Sequence, residues 1–154
     1  MVIRPYASAD LEQVLALFYN TVHYINCRDY SSTQLDAWAP AAPDKERWAS
    51  SLSAHAAWVA ELNGTLTGFA DLDIPSHYLD RLYVHKDFQR QGVASALCSE
   101  LERTARSHGL LQLHTEASIT ARPFFERRGY RVIRAQHKPL RGQMFLNYVM
   151  EKEL

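Results

Sequence analysis

The chain has 154 residues, 17 basic and 17 acidic side chains and a formal charge of zero, which argues against a dedicated nucleic-acid binder. Hydrophobic residues make up 47% and charged residues 22%, ordinary usage for one globular domain spanning residues 1–154 with a sizeable core. No apolar run approaches the roughly 20 residues of a membrane span, "MVIRPYASAD" has no apolar signal region, and Cys27 and Cys98 lack metal-site spacing, so a cytoplasmic chain with reduced thiols, no membrane association and no metal is expected.

"VIRPY" reads as a first strand. A helix follows from Ser8, with Ser8 as its cap, Asp10 and Glu12 at its positive end, and Leu11, Val14, Leu15 and Phe18 on one face. "SSTQLDAWAP" predicts a second helix, because Ser31 and Gln34 have capping-box spacing and Pro40 stops it; "DKERWASSL" is a further helical candidate. "AAWVAEL" and "TLTGFADLD" flank Asn63-Gly64, a strong hairpin signal. "HYLDRLYV" is another strand, with Tyr78, Asp80, Leu82 and Val84 expected on one face and His77, Leu79, Arg81 and Tyr83 on the other.

The next helix, Val93 to Ser107, buries Val93, Leu97, Leu101 and Ala105 and stops at Gly109. "LLQLHTEA" returns as a strand and "TARPFFERRG" as a short helix. "YRVIRAQHKPL" and "QMFLNYVME" then pair across Arg141-Gly142. The order β-α-α-β-β-β-α-β-α-β-β contains one βαβ unit, which makes its two strands parallel, between antiparallel hairpins. An α/β (α+β) architecture follows: a mixed, twisted sheet with helices on both faces.

"VHKDFQRQGVASAL" carries the first chemical signal. The first turn of a helix has unpartnered N–H groups at the positive end of its dipole. Gly92 leaves that backbone bare for a phosphate, Ala94 keeps the next turn low, and Gln89 and Arg90 add side-chain donors. The same glycine also fits a plain tight turn. Neither GxxxxGK[ST] nor GxGxxG is present.

The segment "LDRLYVHKDFQRQGVASAL" resembles the Q/R-x-x-G-x-G/A signature of the GCN5-related N-acetyltransferases, with Gln89, Gly92 and Ala94 at its positions. "SITARPFFERRGY" resembles that family's N-x-x-A-x-x-x-Y-x-x-x-G-F, and "NTVHYINCRDYSSTQLDAWAP" is similar to a bacterial subgroup of unassigned substrate. The resemblance implies a sheet of about seven strands, acetyl-CoA as donor, an amine as acceptor and a possible homodimer. It places the diphosphate on Gln89, Arg90, Gln91, Gly92, Val93 and Ala94, with Ser95 as a further cofactor contact, and the pantetheine arm on backbone groups of Leu82, Tyr83 and Val84. Two positions depart from the family. Ser118 stands for its asparagine, and Phe125, without an exchangeable proton, stands for the tyrosine that often protonates the leaving thiolate.

Of Phe124 and Phe125, one is expected to pack inward and one to line the pantetheine slot. Arg128 is a further phosphate candidate beside Arg122 and Arg127, although solvated arginines are the commoner case. Asp80, on a central strand, is the first candidate for the base that deprotonates the acceptor, with a salt bridge to Arg81 or Arg131 as the alternative. Glu116 and His114 are rivals, and Tyr148 is a candidate for the missing proton. Trp38, Trp48, Tyr24 and His23 fall in the region that roofs the acceptor site in the family, where aromatics hold an amine or simply pack. The expected activity is acetyl transfer to a primary amine of a small molecule or peptide by direct attack. The alternatives are a non-catalytic acyl-CoA sensor and an enzyme acting on a macromolecular amine.

Overall fold

A computed structural model describes residues 1–154. Seven strands form one sheet in the order β1-β2-β3-β4-β5-β7-β6. They are β1 (Val2–Pro5), β2 (Ala56–Leu62), β3 (Thr65–Asp73), β4 (Tyr78–Val84), β5 (Gln112–Ser118), β6 (Arg131–Leu140) and β7 (Gln143–Glu153). Every neighbouring pair is antiparallel except β4 and β5. No helix is long and apolar enough to cross a membrane.

Five helices flank the sheet: α1 (Leu11–Ile25), α2 (Ser32–Trp38), α3 (Lys45–Ala54), α4 (Val93–Ser107) and α5 (Arg122–Arg127). Three rather than two helices therefore precede β2. α4 and α5 cover one face through a core of Val93, Leu97, Leu101, Phe125 and Tyr130. α1, α2 and α3 cover the other through Val14, Phe18, Val22, Leu35 and Leu52, packed on Val59 and Phe69 of the sheet. Each buried aliphatic or aromatic side chain here is worth about 1.5–3 kcal/mol.

Local chemistry explains the element ends. Ser31 accepts from the Gln34 amide while the Gln34 side chain accepts from the Ser31 amide, the reciprocal cap that starts α2. Asn63 and Gly64 both take positive φ, as the two-residue hairpin between β2 and β3 requires. Ser8 does not cap α1 with its side chain. A 3-10 turn precedes that helix, and the Asp10 carboxylate accepts from the Ala7 amide at 2.8 Å while Arg4 chelates it at 2.8 and 2.9 Å.

β4 departs from simple alternation. Leu72 pairs with Leu79 and Asp71 with Arg81, so Asp80 is an extra residue on β4, a bulge. The bulge reverses which face the later side chains occupy. Leu79 packs on the α4 side with Leu82 and Val84, whereas Tyr83 packs on the α1 side. The expected grouping of Leu79 with Tyr83 therefore fails at this one inserted residue. Beyond it β4 leaves β5: their parallel pairing is confined to Tyr78 with His114 and Leu79 with Thr115. A wedge opens between the two strands in the middle of the sheet.

Candidate active site

The wedge leads into a cleft of about 1120 Å³ that extends from the start of α4 to α1, α2 and the β6–β7 hairpin. At its α4 end the chain passes through two left-handed residues, Arg90 at φ 59° and Gly92 at φ 81°. Gly92 is the residue before the helix, and no side chain caps it. The first intrahelical bond runs from the Ala96 amide to the Gly92 carbonyl at 3.0 Å. The amides of residues 89 through 95 donate to no acceptor in the protein. A Cβ on Gly92 would meet no atom within 4 Å, so the loop is open. Unpartnered amides at the positive end of a helix of about four turns form an anion site.

The pantetheine candidates divide by strand geometry. The His85 amide donates to Thr67 of β3, and Tyr83 is in register with Phe69, so the Tyr83 backbone belongs to the β3 ladder. Tyr83 is thus corrected as a backbone contact, since its polar main-chain groups face away from the wedge. Leu82 and Val84 alternate onto the open edge. The Val84 carbonyl already accepts from the Thr21 hydroxyl and the Gln89 side-chain Nε2, both at 2.8 Å. Gln89 therefore holds the loop to the strand instead of pointing outward.

The remaining candidates lie as follows. Leu82, Val84, Gln89, Arg90, Gly92, Val93, Ala94 and Ser95 line the cleft; Gln91 does not. Ser118 lines it and caps the turn into α5, accepting from the Ala121 amide at 3.0 Å. Phe125 is 3% exposed and packs edge-on against Phe124 and Tyr130, so it is mainly core, while half-buried Phe124 presents more to the cleft. Arg128 is engaged elsewhere. It binds Glu102 of α4 at 3.1 and 3.2 Å, and Lys152 and Tyr130 bind the same buried carboxylate at 3.0 Å each. Its charge is spent on that carboxylate, which corrects Arg128 as a free phosphate ligand. Tyr148 is corrected too. It does not line the cleft, and Arg122 stacks on its ring at 4.4 Å. Alternation along β7 turns Phe145 and Asn147 to the cleft and Tyr148 to the far face.

Asp80 lines the cleft at the bulge. Its carboxylate stands 3.4 Å from Arg81 and 3.8 Å from Nδ1 of His55. Behind it, fully buried Asp71 takes the shorter contacts: 2.8 Å from His55 Nδ1 and 2.8 and 3.2 Å from Arg81. Arg81 is further held by the Ser51 hydroxyl and by the Trp48 ring, 4.5 Å away. Burial first, and then the Asp71 charge, raise the Asp80 carboxyl above the ordinary aspartate range, against the pull of Arg81 and His55. The hydrogen bond to Asp71 raises His55. His55, Asp71 and Asp80 bring three potential metal-ligand atoms within 4.8 Å of one another, but the Arg81 guanidinium stands among them and repels a cation.

Glu116 also lines the cleft, paired with Lys138 at 2.6 Å. His114 stacks on Tyr78 at 5.0 Å and does not line it. Of the cysteines, Cys98 is fully buried with its thiol pushed up to about 12 by burial, and Cys27 is exposed outside the cleft. Neither is placed as a nucleophile. Sequence reasoning missed the His55–Asp71–Arg81 group, Tyr30 and Asn147. Tyr30 donates to the Leu146 carbonyl and accepts from the Ile119 amide, tying the chain before α2 to β7 and to the end of β5. Gln136 and Asn147, opposite each other across β6 and β7, each leave one buried amide atom unpaired.

Comparison with known proteins adds a second line of argument. The acetyltransferase (GNAT) domain family matches residues 26–152. The chain is 37% identical over 148 residues to the uncharacterised N-acetyltransferase YafP of Escherichia coli (strain K12), covering 96% of this chain and 93% of that one. A crystal structure from Rhodopseudomonas palustris, described as a GCN5-related N-acetyltransferase, superposes with a TM-score of 0.95 at 35% identity over 99% of this chain and 95% of that one. The PaiA N-acetyltransferase of Thermoplasma acidophilum, solved with coenzyme A, superposes with a TM-score of 0.82 at 20% identity over 99% and 98% of the two chains.

Proposed function

The chain belongs to the GCN5-related N-acetyltransferases, and from that premise we propose that it carries an acetyl group from acetyl-CoA to a primary amine by direct attack. The observation that carries this reading is the open run of unpartnered amides from Gln89 to Ser95 at the positive end of α4. Acetyl-CoA supplies an activated thioester on a long arm that ends in a diphosphate. The amides of the loop, with the Arg90 side chain beside them, hold the diphosphate. The open edge of β4 holds the arm as an added strand would, through both backbone groups of Leu82 and the amide of Val84, because the Val84 carbonyl is already taken. The coenzyme A bound to PaiA supports the same donor for this chain.

Asp80 is the base. It takes the proton of the acceptor ammonium and frees the nitrogen lone pair for attack. A carboxyl raised by burial toward neutrality is a stronger base than a solvated one, yet Arg81 and His55 keep its charge tolerable. Glu116, neutralised by Lys138, is the weaker candidate. Phe125 can donate no proton, and none is required. The departing thiol has an ordinary pKa of about 8.5, so it leaves as a thiolate, and the second proton, lost by the nitrogen after attack, reaches it through water.

Titration calorimetry of acetyl-CoA against the wild type and Gly92→Asp tests the donor reading. Cβ has room at position 92, so the variant should fold with a small strain penalty, while its carboxylate repels the diphosphate. Affinity should fall at least 100-fold. Unchanged affinity in the folded variant would remove the loop from donor binding; Ala94→Glu, within the helix and free of strain, repeats the test.

A further inference from the structure

We propose that the acceptor is a small monoamine with an aromatic or bulky apolar body, and not a polyamine or a peptide N-terminus; this rests on the acetyltransferase reading above. Three independent features of the cleft lead there.

The first is its charge. Two carboxylates line it, Asp80 and Glu116, beside the cations Arg28, Arg90 and Arg127 and two that are already paired, Arg128 with Glu102 and Lys138 with Glu116. Glu116 is bound to Lys138 at 2.6 Å. That leaves Asp80 as the one acid for an ammonium. A substrate with several ammonium groups would leave its remaining charges without a carboxylate to pair with, at a cost its single partner does not return.

The second is its wall. Tyr30, Trp38, Tyr83 and Phe145 line the acceptor side and touch one another, with Trp38 at 5.3 Å from Tyr30, 6.1 Å from Phe145 and 6.4 Å from Tyr83 between ring centroids. Their polar tips are largely committed within the protein. The Tyr30 hydroxyl serves Leu146 and Ile119, and the Trp38 indole N–H donates to the Tyr83 oxygen at 3.2 Å. What they offer a ligand is ring surface, which favours an apolar or aromatic body and, beside it, a cation.

The third is its roof. The Gln34 side chain donates to the Met144 carbonyl at 2.8 Å, Arg141 to the Ala37 carbonyl at 2.6 Å, and Tyr30 to the Leu146 carbonyl at 2.8 Å. Thr120 bonds Asp29 at 2.7 Å on the other flank. The helical region before β2 is thus tied to the β6–β7 hairpin and to the loop after β5. These ties fix the walls of the cleft in place, which suits a small acceptor better than an extended peptide that needs them to part.

The test is a steady-state assay of the full chain with acetyl-CoA and four acceptors: 2-phenylethylamine, propylamine, spermidine and a hexapeptide with N-terminal alanine. The expected result is kcat/KM for 2-phenylethylamine at least tenfold above each of the others. Trp38→Leu should raise KM for 2-phenylethylamine at least fivefold, and Trp38→Phe should restore most of the loss. Acetyl-CoA affinity, read by calorimetry, should stay within twofold in both. Preference for spermidine or the peptide, no turnover of 2-phenylethylamine, or a KM indifferent to Trp38→Leu overturns the proposal. Absence of acetyl-CoA binding to the wild type would instead overturn the donor reading, so the two failures are distinguishable.

Discussion

Asp80 occupies a position that no periodic pattern marks. Alternation along "HYLDRLYV" puts a carboxylate on a central strand, and that placement of Asp80 is legible. The bulge it forms is not, because an inserted residue depends on the partner strand's register. Arg81, its neighbour in sequence, is legible as a partner, but His55, after α3, and Asp71, on β3, meet it only in the fold. Gly92 is the opposite case, since a single residue with one backbone requirement carries its own signal. Replacing Asp80 with asparagine keeps the shape and removes the proposed base. Loss of general-base catalysis costs about 100- to 10,000-fold in rate. The sign with pH follows from the amine. At pH 6.5 nearly all of it is protonated and depends on Asp80; near pH 10 much of it is already free. The variant's deficit in kcat/KM should therefore shrink as pH rises, and a deficit constant across that range would exclude Asp80 as the base.

Elements were readable wherever one local rule fixed them. The α4 stripe, the Asn63-Gly64 hairpin and the Ser31–Gln34 cap all hold in the structure. The parallel pairing of β4 with β5 followed from the crossover, but its early end did not, and that end makes the cleft. The helix predicted from Ser8 starts instead from a 3-10 turn held by Asp10 and Arg4, because a carboxylate chelated by a guanidinium outcompetes a serine hydroxyl. Close approach of α4 to β3 has its own requirement at Gly68. A Cβ there would stand 2.7 Å from Val93 Cγ1 and 3.0 Å from both Leu97 Cδ1 and the Tyr83 carbonyl oxygen. Val93 can turn aside, but the backbone oxygen of β4 cannot move without disturbing the strand that borders the wedge. Gly68→Ala should cost about 1–3 kcal/mol as an overpacked site, read as a lower urea midpoint with an unchanged slope. A stability equal to the wild type would show that α4 lifts freely from the sheet.

Across the whole molecule two charged groups buttress the sheet, and they respond oppositely to pH. On the α4 side, burial works to raise Glu102, but hydrogen bonds from Arg128 and Lys152 outweigh it and hold the carboxyl below its ordinary value of 4.5. Hydrogen bonding from Arg4 likewise lowers Asp10 from 3.8. A depressed carboxyl contributes stability that is present above its unfolded pKa and lost as pH falls through the folded one. On the α3 side His55 is raised from 6.5, chiefly by its hydrogen bond to Asp71, and it also faces Asp73, Asp80 and Arg81. A raised histidine contributes stability that is full below 6.5 and lost as pH climbs through its folded value. The raised Asp80 adds in the same sense at lower pH, being stabilising while protonated. Thermal unfolding should therefore show its highest midpoint between the ordinary carboxylate and histidine pKa values, near pH 5 to 6, with a decline on each side. His55→Gln, which keeps a neutral hydrogen-bonding side chain but cannot carry charge, should lower the midpoint at pH 5.5 and leave it nearly unchanged at pH 9. That difference isolates the histidine, because the Glu102 and Asp10 pairs remain ionised at both values. Equal losses at pH 5.5 and 9 would mean that His55 contributes through shape alone, and that the charge balance around Asp80 is set by Arg81.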